Sequence, residues 1–171
     1  ACFAAGRTSL VVQDHASDAR DRLVWRWTRG DAVPLAALGD PLGGATSYAL
    51  CVYETSAGMT ALARPPIEIP GGGVCRGKPC WKALGGVGVK YADRDRTPDG
   101  VESLVLRSGP AGKPSVVLTA KGATLAPPSL PLGQDPAVTV QLVNDSGACF
   151  GAAYASPAQK NDAGQFRDKT P

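Results

Sequence analysis

The chain has 171 residues and a net charge of +3, with 43% hydrophobic and 19% charged residues. This length suits one domain with a real core, and the composition is too apolar and too weakly charged for a disordered chain. The small net charge argues against a nucleic-acid partner, and no apolar run approaches the roughly 18 residues of a membrane span. Gly 21 and Pro 15 break the chain into short segments, which predicts an all-β protein.

The predicted strands are short runs of alternating polarity with turn signals between them. The run 22–29 is the clearest, because Trp25 and Trp27 face one way while Arg26 faces the other. Pro34 and Gly39 bracket a short helical turn. The other predicted strands are 8–14, 47–54, 60–64, 67–69, 87–92, 101–107, 115–121, 137–144 and 149–155. About nine or ten such strands predict a two-layer antiparallel β-sandwich of jelly-roll or immunoglobulin-like type.

The remaining segments complete a single domain over residues 1–171. The turn at Pro98-Asp99-Gly100 predicts a hairpin between the strands 87–92 and 101–107. Residues 125–132 contain three prolines and are expected to be extended outside the sheets. We expect residues 1–8 to form an N-terminal arm and residues 157–171 a polar tail, which only Phe166 is able to anchor.

Five cysteines predict disulfides. Cys75 and Cys80 end a short loop containing glycine and proline, which brings two Cβ atoms to bridging distance, so we predict a bond between them. Cys51 and Cys149 both lie in predicted strands and form the expected second pair. Cys2 is then either unpaired, a partner in an alternative pairing, or a link to another subunit or domain.

A zinc site is the competing interpretation of the cysteines. Zinc needs three or four thiolate or imidazole ligands, and the chain has one histidine, His15, with no ligand spacing around it. Disulfides instead predict an oxidising compartment, and therefore a secreted or cell-surface protein. A start at Ala1 fits either a cleaved signal peptide or a module of a longer protein.

Residues for catalysis are sparse. His15 is the only candidate general base, and no motif supplies it with a nucleophile. Paired carboxylates would permit glycoside hydrolysis, but Glu54, Glu68 and Glu102 are isolated among strand and turn residues. The sequence predicts a protein that is not an enzyme.

Three aspartates make the most metal-like cluster. Asp93, Asp95 and Asp99 lie in one loop, as calcium ligands often do, so calcium is the one candidate cofactor. Arg94 and Arg96 compete with a cation, and a hairpin tip also explains this sequence.

The three tryptophans provide a candidate carbohydrate platform. Trp25 and Trp27 share one strand face at a spacing of about 6.6 Å, so that exposed indoles would offer sugar rings a flat surface. Trp81 is the third member of this set. The alternative for Trp25 and Trp27 is that they fill the core together with Leu23, which is the more usual fate of large aromatics in a strand with alternating polar residues.

Several segments together resemble a group of secreted bacterial β-rich domains. The resemblance implies an extracellular β module, sometimes part of a larger protein, and brings no activity, cofactor or binding residue with it. The segments are Leu23-Val-Trp-Arg-Trp27, Gly39-Asp-Pro41, Tyr48-Ala-Leu-Cys-Val-Tyr53, Val89-Lys-Tyr91, Pro98-Asp-Gly100, Lys121-Gly122, Leu130-Pro-Leu132, Val138-Thr-Val-Gln-Leu142, Lys160-Asn-Asp162 and Phe166-Arg-Asp-Lys169.

These observations predict a non-catalytic, extracellular structural or adhesive subunit of a bacterium, assembling into a surface fibre or joined to neighbouring domains. The strand 8–14 is expected to be an edge that pairs with a second copy, with Cys2 as a covalent link. A carbohydrate-binding module is the alternative, with a glycan as the partner.

Overall fold

The computed structural model describes residues 1–171 and consists almost entirely of β-strands, with two 3-10 turns at Asp18–Arg20 and Leu35–Leu38. The strands are β1 Phe3–Ala4, β2 Arg7–Gln13, β3 Arg22–Thr28, β4 Tyr48–Ser56, β5 Met59–Leu62, β6 Ile67–Ile69, β7 Val74–Cys75, β8 Lys78–Pro79, β9 Trp81–Ala83, β10 Gly88–Ala92, β11 Val101–Arg107, β12 Ser115–Lys121, β13 Ala137–Asn144, β14 Cys149–Ala155, β15 Lys160–Asn161 and β16 Gln165–Lys169.

Two large sheets make up the body. The eight-stranded sheet has the order β15-β16-β2-β3-β12-β11-β10-β9, and the six-stranded sheet has the order β1-β14-β13-β4-β5, with β6 beside the first half of β4. β7 and β8 form a separate hairpin, and the only parallel pair is β1 with β14. The predicted antiparallel two-layer β-sandwich is confirmed. No helix of the structure is long and apolar enough to span a bilayer.

The core lies between the two sheets and is filled from the alternate positions that the sequence indicated. Trp25 and Trp27 on β3 are fully buried. The Trp25 indole N–H donates to the Tyr154 hydroxyl at 3.1 Å, and that of Trp27 donates to the Gly151 carbonyl at 3.2 Å. Both acceptors belong to β14 of the other sheet, so these bonds join the layers while satisfying polar groups that burial would otherwise leave unpaired.

Several predicted elements agree closely with the structure. The hairpin of β10 and β11 is present, with Val89 opposite Leu106, and a 3-10 turn follows Pro34. Residues 125–132 lie outside every strand, as expected.

The predicted C-terminal tail is wrong, because residues 157–171 contain β15 and β16. β16 pairs with β2 along five residues and buries Phe166 and Asp168. The predicted N-terminal arm is also wrong, since residues 1–8 contain β1 and the start of β2. Because β16 and β3 flank β2, the strand predicted to be a free edge lies inside the sheet.

The disulfides confirm one prediction and correct another. Cys75 is bonded to Cys80 as predicted, but Cys149 is bonded to Cys2, with the two Cα atoms 4.5 Å apart, and Cys51 is free. Strand β13 separates Cys51 from β14, so Cys51 and Cys149 are at least two strand spacings apart, about 9.6 Å, which exceeds the reach of a disulfide. The parallel strand β1 places Cys2 beside Cys149 instead.

Candidate anion-binding face

The solvent sides of the two sheets differ sharply in charge. Every strand of the eight-stranded sheet carries a lysine or arginine that points away from the core, whereas no strand of the six-stranded sheet contains either residue. We call the solvent side of the eight-stranded sheet the cationic face. Its cations are Arg7, Arg22, Arg26, Lys82, Lys90, Arg107, Lys121, Lys160, Arg167 and Lys169.

Few carboxylates balance this charge. Lys121 pairs with Glu102 at 3.1 Å and Lys160 with Asp162 at 3.6 Å, and these are the only ion pairs of the cationic face. Asp168 on β16 points inward, where it accepts a hydrogen bond from Gln134. The other cations of the face have no carboxylate within 4.0 Å, so the face carries a local excess of positive charge that the net charge of +3 conceals.

One register row crosses seven strands of this face. Each residue of the row is the direct cross-strand partner of the next, so the row spans six strand spacings, about 29 Å. Two cations lie toward one end of the row and two at the other end, and two valines separate the two pairs. In order, the row contains Lys169, Ser9, Arg26, Val117, Val105, Lys90 and Lys82.

A depression of about 530 Å³ surrounds one end of the row. Ser9 lies between Arg26 and Lys169 in register, and Arg7 is two residues along β2 from Ser9. The Ser9 hydroxyl completes a lining that contains no carboxylate side chain, while the Thr28 hydroxyl donates to the Arg7 carbonyl at 3.2 Å. Cations together with a hydroxyl donor form a suitable environment for a sulfate or carboxylate group.

The opposite face is uncharged over most of its area. Its row through β14, β13 and β4 contains Ala153, Thr139 and Tyr53, and Glu68 on β6 is a charged residue at its margin. Because the side chains of this row are uncharged, the face is a poor site for a charged ligand.

The predicted carbohydrate platform is wrong, because none of its members is available for stacking. Trp25 and Trp27 are 0% exposed and Trp81 is 2% exposed. Trp81 packs against Tyr48 and Tyr91, with ring centroids 5.8 and 5.2 Å away. All three indoles belong to the core. For Trp25 and Trp27 this is the alternative that the alternation on β3 favoured.

The predicted calcium ligands do not converge. Asp93 stabilises the loop in which it lies by accepting hydrogen bonds from the amides of Asp95 and Thr97 at 2.9 Å. Asp95 pairs with Arg76 at 2.7 Å, and Asp99 accepts the amide of Glu68 at 2.8 Å. No group of three or more His, Cys, Asp or Glu residues is placed to hold a metal ion. Each carboxylate is occupied by a separate structural contact.

The carboxylates considered for hydrolysis are apart. Glu68 is the cross-strand partner of Ala49. Ala49 and Glu54 are five residues apart along β4, a separation of about 17 Å. Glu102 belongs to the other sheet. The imidazole of His15 makes no hydrogen bond with a serine, cysteine or carboxylate; only its backbone amide donates, to Asp21.

Comparison with known proteins gives no relative from which to transfer a function. No family model, no curated protein and no solved structure matches the chain.

Proposed function

We propose that this chain is a non-catalytic, secreted bacterial adhesive module that binds an acidic polysaccharide across its cationic face. The observation that supports this most strongly is the distribution of charge: lysine or arginine on every strand of one sheet, and none on the strands of the other. Such a segregated positive field raises the local concentration of a polyanion and orients its approach.

The row geometry favours a linear polymer. A chain lying across the strands would meet Lys169 and Arg26 at one end and Lys90 and Lys82 at the other. Between them, the half-buried valines of β11 and β12 offer an apolar floor for the less polar side of a sugar ring. Cations at intervals, rather than in one pocket, suit a ligand whose charge repeats along its length.

The same face is poorly suited to other polyanions. Its strands carry no outward aromatic side chain on which nucleic-acid bases would stack. Membrane insertion needs exposed large apolar side chains, and those of this chain, including Met59 and Leu62, lie outside the face. The two disulfides fit an oxidising compartment, where acidic polysaccharides occur.

The structure lacks the free Cys2 and the free edge strand on which assembly into a fibre would depend. Cys2 is bonded within the chain, β2 is an interior strand, and the outermost strands of the eight-stranded sheet, β15 and β9, have two and three residues. Short edge strands are a common protection against strand-to-strand association. We therefore assign adhesion to the cationic face and not to a strand edge.

Three polymers with one backbone test the proposal: dextran sulfate, carboxymethyl dextran and neutral dextran, measured by biolayer interferometry at low and high salt. We expect binding to the two anionic polymers that weakens as salt rises, and no binding to neutral dextran. The double variant Arg26→Gln/Lys169→Gln should bind about 5- to 30-fold more weakly, from about 0.5–1 kcal/mol for each lost contact.

The control removes the same net charge elsewhere. Arg20 and Lys113 are exposed and lie outside the strands of the face, so Arg20→Gln/Lys113→Gln should change the affinity less than 2-fold. Equal losses in the two double variants would contradict a localised face. Tighter binding to duplex DNA or to phosphatidylglycerol vesicles than to dextran sulfate would contradict the assignment to polysaccharide.

A further inference from the structure

A second basic concavity lies at the β9 edge of the sandwich, beside the hairpin that the Cys75–Cys80 disulfide closes. We call this cavity of about 490 Å³ the hairpin groove. Five of its nine lining residues are cations, supplied by the hairpin, by β9 and β10, and by the loop that follows β10. The lining comprises Cys75, Arg76, Lys78, Pro79, Cys80, Lys82, Lys90, Ala92 and Arg94.

The charges of the hairpin groove are poorly balanced. Lys82 and Lys90 are direct cross-strand partners, an arrangement in which like charges repel and destabilise a sheet. Arg76 is neutralised by Asp95, which accepts its Nε–H and Nη2–H at 2.9 and 2.7 Å. The remaining four cations have no carboxylate within 4.0 Å. A bound anion would relieve this repulsion.

The walls of the hairpin groove are held in place before any ligand arrives. The disulfide ties Cys75 to Cys80, whose amide donates to Gly73 at 3.2 Å and whose carbonyl accepts the Ala92 amide at 2.9 Å. Trp81, which lies between the lining residues Cys80 and Lys82 in sequence, is buried, and its indole donates to the Pro70 carbonyl at 2.9 Å. A cation cluster on a fixed scaffold has less conformational entropy to lose on binding.

We propose that the hairpin groove binds a compact polyvalent oxyanion, a small molecule that carries two or more phosphate or sulfate groups. Its volume is that of a small-molecule site, and its four unneutralised cations match several negative charges better than one. Lysine ammonium groups supply point charges, while Arg94 supplies a planar fork suited to tetrahedral oxyanions. This site goes beyond polysaccharide adhesion: it shares Lys82 and Lys90 with the cationic face, but its other two unneutralised cations, Lys78 and Arg94, lie outside that face.

Isothermal titration calorimetry with tripolyphosphate, sucrose octasulfate and inorganic phosphate tests the proposal. Comparing the first two ligands shows whether the groove prefers phosphate or sulfate groups. One tripolyphosphate or octasulfate should bind per chain, and more tightly than inorganic phosphate. Lys78→Gln/Arg94→Gln should weaken tripolyphosphate binding about 5- to 30-fold. The charge-matched control Arg20→Gln/Lys113→Gln should stay within 2-fold. Equal losses in both variants, or no saturable binding by the unmodified chain, would overturn the site.

Two further variants test the Lys82–Lys90 pair and the Cys75–Cys80 disulfide of the hairpin groove. Lys90→Glu converts the repulsive pair with Lys82 into an attractive one, so the ligand-free protein should melt at a higher temperature while the shift induced by tripolyphosphate disappears. Cys75→Ser/Cys80→Ser keeps every cation but frees the hairpin, and should weaken tripolyphosphate binding. Unchanged binding in either variant would refute the arrangement. Saturable tripolyphosphate binding without dextran sulfate binding would contradict the adhesive function alone.

Discussion

The two disulfides should contribute very differently to stability, because they close loops of very different length. Cys2 and Cys149 are 147 residues apart in sequence, and Cys75 and Cys80 are 5 residues apart. The entropy that a cross-link removes from the unfolded chain grows with the logarithm of loop length. That relation gives about 5 kcal/mol for the long loop and about 2 kcal/mol for the short one.

Equilibrium urea unfolding of two double serine variants measures this difference. We expect Cys2→Ser/Cys149→Ser to lower the free energy of unfolding by about 5 kcal/mol, which is a large part of the total stability of an ordinary domain. Cys75→Ser/Cys80→Ser should lower it by about 2 kcal/mol. Cys51 stays in both variants, so the comparison isolates the bridges. A hairpin variant that is destabilised as much as the long-loop variant would refute the reasoning.

Two further substitutions test particular contacts. Tyr154→Phe leaves the buried Trp25 N–H without an acceptor and should cost about 1–3 kcal/mol in urea unfolding, whereas Tyr53→Phe on the outer face should cost less than about 0.5 kcal/mol. Burial acts to raise the pKa of Asp93, but hydrogen bonds from Thr97 and neighbouring amides hold it below the usual value. The stabilisation from this carboxylate is therefore present above about pH 3.9 and is lost as the pH falls through its lower folded pKa. Asp93→Asn should accordingly be less stable than the unmodified chain by about 1–3 kcal/mol at pH 7, with the difference shrinking below pH 4.

The fold class could be predicted from the sequence because the strands alternate cleanly. In β3, an outward Arg26 between inward Trp25 and Trp27 fixes which side faces the core. Strands β6, β11, β12, β13 and β14 have the predicted bounds, since each is a run of alternating residues ended by turn residues. When one side of a sheet is buried, apolar residues recur at every second position of each strand, and a single sequence shows this alternation.

The errors arose where the structure depends on partners distant in sequence. β16 buries one large apolar side chain, Phe166, so its alternation was too short to distinguish it from a tail. The partner of Cys149 depends on the parallel placement of β1, which local spacing does not reveal. The order of strands in the sheets, and not residue type, decides both the pairing of β16 and the disulfide partner of Cys149.

The sequence does not predict the cationic face, for a related reason. The predicted strand 22–29 carries the outward Arg22 and Arg26, but a net charge of +3 does not indicate that the cations of several strands lie on one sheet. The net charge is small because carboxylates in loops and on the other sheet offset the positive charge of the strand cations. The row from Lys169 to Lys82 exists only once the strand order and register are known.

Lysine footprinting tests the central claim most directly. The chain would be acetylated under limiting reagent with and without dextran sulfate, and the modified lysines quantified by mass spectrometry. We expect the polymer to protect Lys169, Lys90 and Lys82, which share the row, while the exposed Lys113 outside the face stays as reactive as before. Uniform protection of all four lysines, or protection of Lys113 alone, would contradict a binding surface on the eight-stranded sheet.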